Sequence, residues 1–140
     1  MRNGLYISSN GDKTWYMNDK MHREDGPAIE YVSGDKRWYL NGRLHRKDGP
    51  AIEYISGDRC WYINGLLHRE DGPAVEYGNL NRYLYFNLNR YWYVNGVLHR
   101  EDGPAVESAD GHRSWYLNGD KIYCSSQEEF ERIMKVIFLL

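Results

Sequence analysis

No apolar run in this chain of 140 residues approaches the ~20 residues that a membrane-crossing helix needs, so no membrane span is expected. The first residues, Met1-Arg2-Asn3-Gly4, lack the apolar stretch of a secretory leader. Cysteine is scarce, and Cys60 and Cys124 sit in unrelated contexts. That excludes a disulfide-stapled scaffold and points to two free thiols in a cytoplasmic protein. An excess of positive charge is missing too. Eighteen Lys and Arg stand against 20 Asp and Glu, for a formal net charge of -2. A grip on nucleic-acid phosphates wants a basic stripe, so nucleic acid is not expected as a partner.

What the chain does hold is aromatic: 13 tyrosines and five tryptophans. The tryptophans Trp15, Trp38, Trp61, Trp92 and Trp115 recur at steps of 23, 23, 31 and 23 residues. Pro27, Pro50, Pro73 and Pro104 keep the same steps. The unit reads Trp-Tyr-x-Asn-Gly-x-x-His-Arg-x-Asp-Gly-Pro-Ala-x-Glu, and a fixed period of this size is the signature of a stacked repeat architecture. A motif copied four times is not a single active site, so the copied residues are expected to be scaffold.

The second unit shows the expected local fold. Arg37-Trp38-Tyr39-Leu40 favours a strand. Asn41-Gly42 is a strong signal for a type I′ hairpin turn, which needs positive φ at both centres. The return strand Arg43-Leu44-His45-Arg46 then places Leu40 opposite Arg43, Tyr39 opposite Leu44 and Trp38 opposite His45. Pro50 marks a bend or strand start, and Ala51–Ile55 forms another strand. Stacked hairpins advance ~9.6 Å per unit, giving a rod of about 45 to 50 Å. The tryptophan face is the better candidate for burial.

The ends differ from the body. Leu5-Tyr6-Ile7 reads as a partial copy of Glu53-Tyr54-Ile55. After Trp115 the motif stops, and Ser125 with Glu128, or Ser126 with Glu129, reads as a capping box. Phe130, Ile133, Met134 and Ile137 follow at helical spacing. The expectation is one all-β domain over residues 1–140: hairpin repeats over 5–123 and a capping helix over 125–138 docked on the last hairpin.

The repeat resembles the MORN repeat, whose hairpins carry aromatic-x-x-Asn-Gly-x-x-His-Gly. Asn41-Gly42 with His45, Asn64-Gly65 with His68, and Asn95-Gly96 with His99 carry the likeness. Asn18-Asp19 departs from it, as does Arg46-x-Asp48-Gly49-Pro50-Ala51, which replaces a glycine-rich segment. This variant is similar to MORN-like repeats of bacterial, phage and giant-virus proteins, including antitoxin-like ones. The resemblance implies an open hairpin sheet and a binding module, not a catalyst. Its implied partners are proteins, with phospholipid association in some members.

His22, His45, His68 and His99 each precede an aspartate by three residues: Asp25, Asp48, Asp71 and Asp102. Half of a catalytic arrangement is present in that pair, but no serine or cysteine recurs beside it. One imidazole and one carboxylate per unit also fall short of a zinc site. These histidines and aspartates, with the five tryptophans, are therefore assigned structural roles. No catalytic residue, metal or cofactor is expected. Arg23, Arg46, Arg69 and Arg100 match Glu30, Glu53, Glu76 and Glu107 as columns suited to cross-strand ion pairing.

Candidate partner-binding residues lie where copies differ or where tyrosines line up. Tyr39, Tyr62 and Tyr93 belong to a column that is either a second core face or an exposed aromatic strip. Eight extra residues, around 79–86, separate the third and fourth units, and Asn79-Leu80-Asn81-Arg82-Tyr83 recurs as Asn87-Leu88-Asn89-Arg90-Tyr91. An even insertion preserves strand parity. Asn79, Asn81, Arg82, Tyr83, Tyr85 and Asn87 mix rigid aromatics, an arginine and adaptable amides, as interface anchors do. A neutral duplication is the alternative. Three function classes follow: a protein-binding neutraliser of the phage counter-defence or antitoxin type, a module sequestering a nucleotide-like ligand, and a phospholipid-associated scaffold. Monomer and homodimer are both compatible with such a chain.

Overall fold

The structure, a computed structural model, describes residues 1–78 and 89–139. It is an open antiparallel β sheet of repeated hairpins closed at its C-terminal end by one helix. Asn41 and Gly42 have φ of 52° and 79°, as a type I′ turn requires. Asn18 and Asp19 reach φ of 51° and 62°, so the first unit makes the same turn without glycine. Short polar side chains tolerate this left-handed region better than others do. Register follows the turn: Tyr39 pairs with Leu44 and Leu40 with Arg43.

In the second, third and fourth units the strands are shorter than the sequence suggests, because they break at Trp38, Trp61 and Trp92, whereas Lys13–Met17 and Arg113–Leu117 run on through Trp15 and Trp115. Lys36–Arg37 and Ile52–Glu53 belong to the main, 12-stranded sheet, whereas Tyr39–Leu40 and Arg43–Leu44 form a separate two-stranded hairpin. Trp38 joins the two layers. Its N–H donates to the Ala51 carbonyl at 2.8 Å, and its own carbonyl accepts from the His45 N–H at 3.1 Å. Trp15, Trp61 and Trp92 repeat both bonds. Successive hairpins are then tied together: Gly42 N–H donates to the Met21 carbonyl and Arg46 N–H to the Tyr62 carbonyl.

Burial is deepest not at the tryptophans but at alanine. Ala28, Ala51, Ala74 and Ala105 are fully buried, beside Ile29, Ile52 and Val75. The four tryptophans of the complete units are only half-buried. One cross-strand row of the main sheet alternates in charge without a break: Lys13, Glu30, Lys36, Glu53, Arg59, Glu76, Arg90, Glu107, Arg113. Opposite charges facing each other across strands stabilise a sheet. This row gives the strands of successive units a matched order of pairing.

The two ends are closed differently, the first by imitation of a unit and the second by a helix. At the N-terminus Leu5 pairs with Trp15 as Ala28 does with Trp38, so Leu5-Tyr6-Ile7 overlays Ala51-Ile52-Glu53. This corrects the sequence alignment by two residues. Asn3 and Arg2 supply the missing preceding unit: the Asn3 side-chain oxygen accepts from Asn18 N–H at 2.7 Å, and the Arg2 carbonyl accepts from Asp19 N–H.

At the C-terminus the helix spans Gln127–Ile137 with Ser126 as its N-cap. Ser126 Oγ accepts from Glu129 N–H at 3.2 Å, while the Glu129 carboxylate accepts from Ser125 N–H at 2.8 Å. The two candidate boxes thus resolve to Ser126 with Glu129. Phe130 and Met134 bury against Trp115, Leu117, Ile122 and Cys124, and Trp115 Nε1 donates to Gln127 Oε1 at 3.0 Å. Ile137, expected on the docked face, is instead 41% exposed and takes no part in the cluster that buries Phe130 and Met134. Among the described residues no helix is long and apolar enough to cross a membrane.

Candidate binding surface

The copied polar residues bond mostly to one another. In the third unit the Arg69 guanidinium lies over Trp61, its carbon 4.0 Å from the ring centroid. Arg69 Nε donates to Asp71 at 2.8 Å, and Nη1 donates to the Pro73 carbonyl and to Glu76, both at 3.2 Å. Arg23, Arg46 and Arg100 make the same set over Trp15, Trp38 and Trp92. One arginine thus meets an aromatic face, two carboxylates and a carbonyl. Its planar fork suits that geometry, and an ammonium would not.

The glycine of Asp-Gly-Pro belongs to the same device. A Cβ built on Gly72 would stand 2.9 Å from Arg69 Cζ, and Gly26, Gly49 and Gly103 are equally crowded by their arginines. The hydrogen bond from arginine holds the Asp25, Asp71 and Asp102 carboxyls below the usual carboxylate range.

The histidines link units. His22 Nδ1 accepts from Asn41 N–H at 3.0 Å, His45 from Asn64 at 3.1 Å, His68 from Asn95 at 3.2 Å and His99 from Asn118 at 3.0 Å. Each imidazole therefore caps the left-handed turn of the next unit. The aspartate three residues on bonds the arginine and not the imidazole; the carboxylate nearest the imidazole is the glutamate two residues on, with His22, His68 and His99 Nε2 lying 3.5, 3.6 and 3.7 Å from Glu24, Glu70 and Glu101. Among the described residues no three His, Cys, Asp or Glu side chains gather as a metal ion's ligands would.

The column containing Tyr39, Tyr62 and Tyr93 is half-buried throughout, intermediate between a core face and an exposed strip. Burial pushes the Tyr62 and Tyr93 phenols up. Cys60, beneath this face, is pushed up to about 11 by burial and then by Asp58. Arg37 lies 5.1 Å from the Tyr31 ring, with its Nε buried and unpartnered in the structure.

The candidate recognition residues Asn79, Asn81, Arg82, Tyr83, Tyr85 and Asn87 lie outside the described residues. Their flanks are described. Val75 pairs with Tyr91 as Ile52 pairs with Cys60, so the register is the same on both sides of the insertion. Tyr77 N–H donates to the Asn89 carbonyl, as Tyr54 N–H does to that of Asp58. Asn89 also takes over a stacking bond. Its side chain accepts from Ala109 N–H at 3.1 Å, where Asp12, Asp35 and Asp58 accept from Val32, Ile55 and Gly78. The described flanks thus meet as the two sides of a main-sheet turn do in the other units.

Open grooves separate successive units on the tryptophan face. One, of about 740 Å³, is bounded by Arg46, Asp48 and Pro50 of one unit and Trp61, His68 and Asp71 of the next. Sequence reasoning missed these grooves and the arginine stacking. The usable signal was an arginine eight residues after each of the first four tryptophans, always three before a glycine. Comparison with protein-family models and with curated proteins gave no match. The fold and its surface define an open β-hairpin repeat protein.

Proposed function

We propose that this chain is a non-enzymatic protein-binding module, a small neutraliser that covers a surface of a target protein. The observation that carries this reading is the mutual satisfaction of the repeated motif. Arginine, aspartate, glutamate and histidine, the residues with chemistry to offer, are engaged in stacking and in linking units. What the repeats leave over is an extended surface and an insertion outside the copied motif, and extended surfaces are what repeat proteins use for binding. The phage counter-defence or antitoxin role rests on the family resemblance alone.

Within this reading residues 79–87 provide the specific contacts. Deleting residues 79–86 restores the common step, and the conserved flanking register supports folding of the shortened chain. Affinity capture from the native host, with the intact and shortened proteins compared by mass spectrometry, tests it. A folded deletion variant is expected to lose the partner. A folded variant that keeps it at unchanged affinity contradicts the assignment. His45→Gln and His68→Gln are expected to lower stability while leaving capture intact.

A second reading is sequestration of a nucleotide-like ligand, favoured by the inter-unit grooves with their tryptophan, histidine and arginine walls. Ultraviolet absorbance near 260 nm co-purifying with the protein would support it.

A further inference from the structure

Three inter-unit grooves follow one another along the rod, of about 630, 740 and 860 Å³. Each is lined by an indole and an aliphatic side chain of its later unit, both half-buried: Trp38 with Leu40, Trp61 with Ile63, Trp92 with Val94. The exposed loops after the motif arginines separate the grooves, so Asp48 and Asp71 each border two of them. These four loops carry seven carboxylates and one ammonium, in a chain whose net charge is only -2. The motif arginines do not cancel that surplus, because each also bonds Glu30, Glu53, Glu76 or Glu107. The side chains of Glu24, Glu70 and Glu101 are 83%, 85% and 65% exposed, and among the described residues no lysine or arginine lies within 4.0 Å of them.

We propose that these grooves hold a basic, polyproline-type segment of a partner protein, with one lysine or arginine side chain entering each groove. A long basic side chain lays its methylenes on the indole and aliphatic wall while its charged head reaches the loop carboxylates. The period of the grooves decides the conformation of the segment. Units advance ~9.6 Å, and a polyproline II helix presents every third residue on one side at ~9.3 Å per turn. An α-helix matches at every seventh residue, ~10.5 Å, and falls out of step about three times faster. A β-strand presents alternate residues at ~6.7 Å and does not match. Aromatic-lined grooves are also a recurring receptor for polyproline segments. Lys47 stands where the other loops have Glu24, Glu70 and Glu101, and it borders the first two grooves. The third groove has four loop carboxylates and no lysine, and is the strongest site. The inference rests on the binding-module reading, for which it names a partner class, and uses none of residues 79–87.

Titration of the full chain with a synthetic peptide of Lys-Pro-Pro triplets, about 15 residues long, tests it by calorimetry and by tryptophan fluorescence, a signal the peptide itself lacks. At about 50 mM salt the dissociation constant is expected on the order of 100 μM, rising about tenfold at about 500 mM. A peptide of the same composition with its lysines adjacent should bind at least about tenfold more weakly, although its charge is the same. Glu70→Lys should weaken binding about tenfold and Lys47→Glu should strengthen it about threefold, with thermal melting confirming that both variants fold. No binding at about 1 mM, equal affinity for the two peptides, tighter binding of a helical peptide with a lysine at every seventh residue, or a Lys47→Glu protein that binds no better overturns the proposal. Its failure is distinct from failure of the binding-module reading. If folded Glu70→Lys protein still captures the native partner undiminished, the partner sits elsewhere on the chain and this inference alone falls.

Discussion

Arg69 covers Trp61: the guanidinium carbon sits 4.0 Å above the indole, and the same arginine reaches Asp71 and Glu76. The relationship recurs in Arg23, Arg46 and Arg100, so each complete unit roofs its tryptophan with its own charge. The fifth unit has no such arginine, and there Phe130 of the helix packs beside Trp115, with centroids 6.4 Å apart.

Arg69→Lys keeps the charge and loses the planar fork. It is expected to cost about 1 to 2 kcal/mol, from lost stacking and from loss of the fork that reaches Asp71 and Glu76 at once. Arg59→Lys, on the exposed charged row, should stay within about 0.5 kcal/mol. Urea denaturation of the two variants separates them. Equal effects would mean that charge alone, and not the stacked geometry, matters at position 69.

Trp61→Ala removes a half-buried indole together with the platform of Arg69. The expected loss is about 3 kcal/mol, the lower end of the range for large-to-small changes. Tyr62 is also half-buried, so Tyr62→Ala should cost about 1 to 2 kcal/mol, less than the tryptophan but more than a surface change. Denaturation curves showing a larger loss at Tyr62 would make the tyrosine side the principal core.

Two pH windows follow from the shifted groups. The arginine-bonded carboxyls of Asp25, Asp71 and Asp102 titrate below their unfolded value of ~3.9, so their contribution is complete above that value. It is lost as pH falls through the depressed folded values, and Asp71→Asn should flatten the acid limb of the stability curve. Cys60 behaves oppositely. Its thiol, held to about 11, favours the folded state below the unfolded value of ~8.5, and that contribution disappears as pH rises to about 11. Native Cys60 should therefore resist iodoacetamide at pH 8.5 and react freely when unfolded. Rapid native alkylation would contradict its burial.

Hairpin turns, their register, the stacked-repeat class and the docked helix were legible because local chemistry specifies them. Asn41-Gly42 sets the turn and so the Tyr39–Leu44 pairing. Ser126 with Glu129 sets the helix start. The strand breaks at Trp38, Trp61 and Trp92 were not legible, since an aromatic run reads as one continuous strand, as it is at Trp15 and Trp115. Nor were the His45–Asn64 bonds between units, because a period shows which residues recur without showing which copies meet. The alanine column escaped for a related reason. Ala51 is fully buried although its side chain is a single methyl, so its own hydrophobicity gave no signal of that depth. Register across the insertion was anticipated from its even length, and the Val75–Tyr91 pairing bears that out.

The central claim is that the copied polar motif is scaffold organised around arginine, and a double-mutant cycle at Arg69 and Gly72 tests it most directly. Gly72→Ala places a Cβ against the guanidinium and should cost about 1 to 3 kcal/mol in the intact protein. In an Arg69→Ala background the same change should cost less than about 0.5 kcal/mol, since nothing then occupies the space. An unchanged penalty in both backgrounds would contradict the account, because the glycine would then serve the backbone alone and the arginine would not organise the unit.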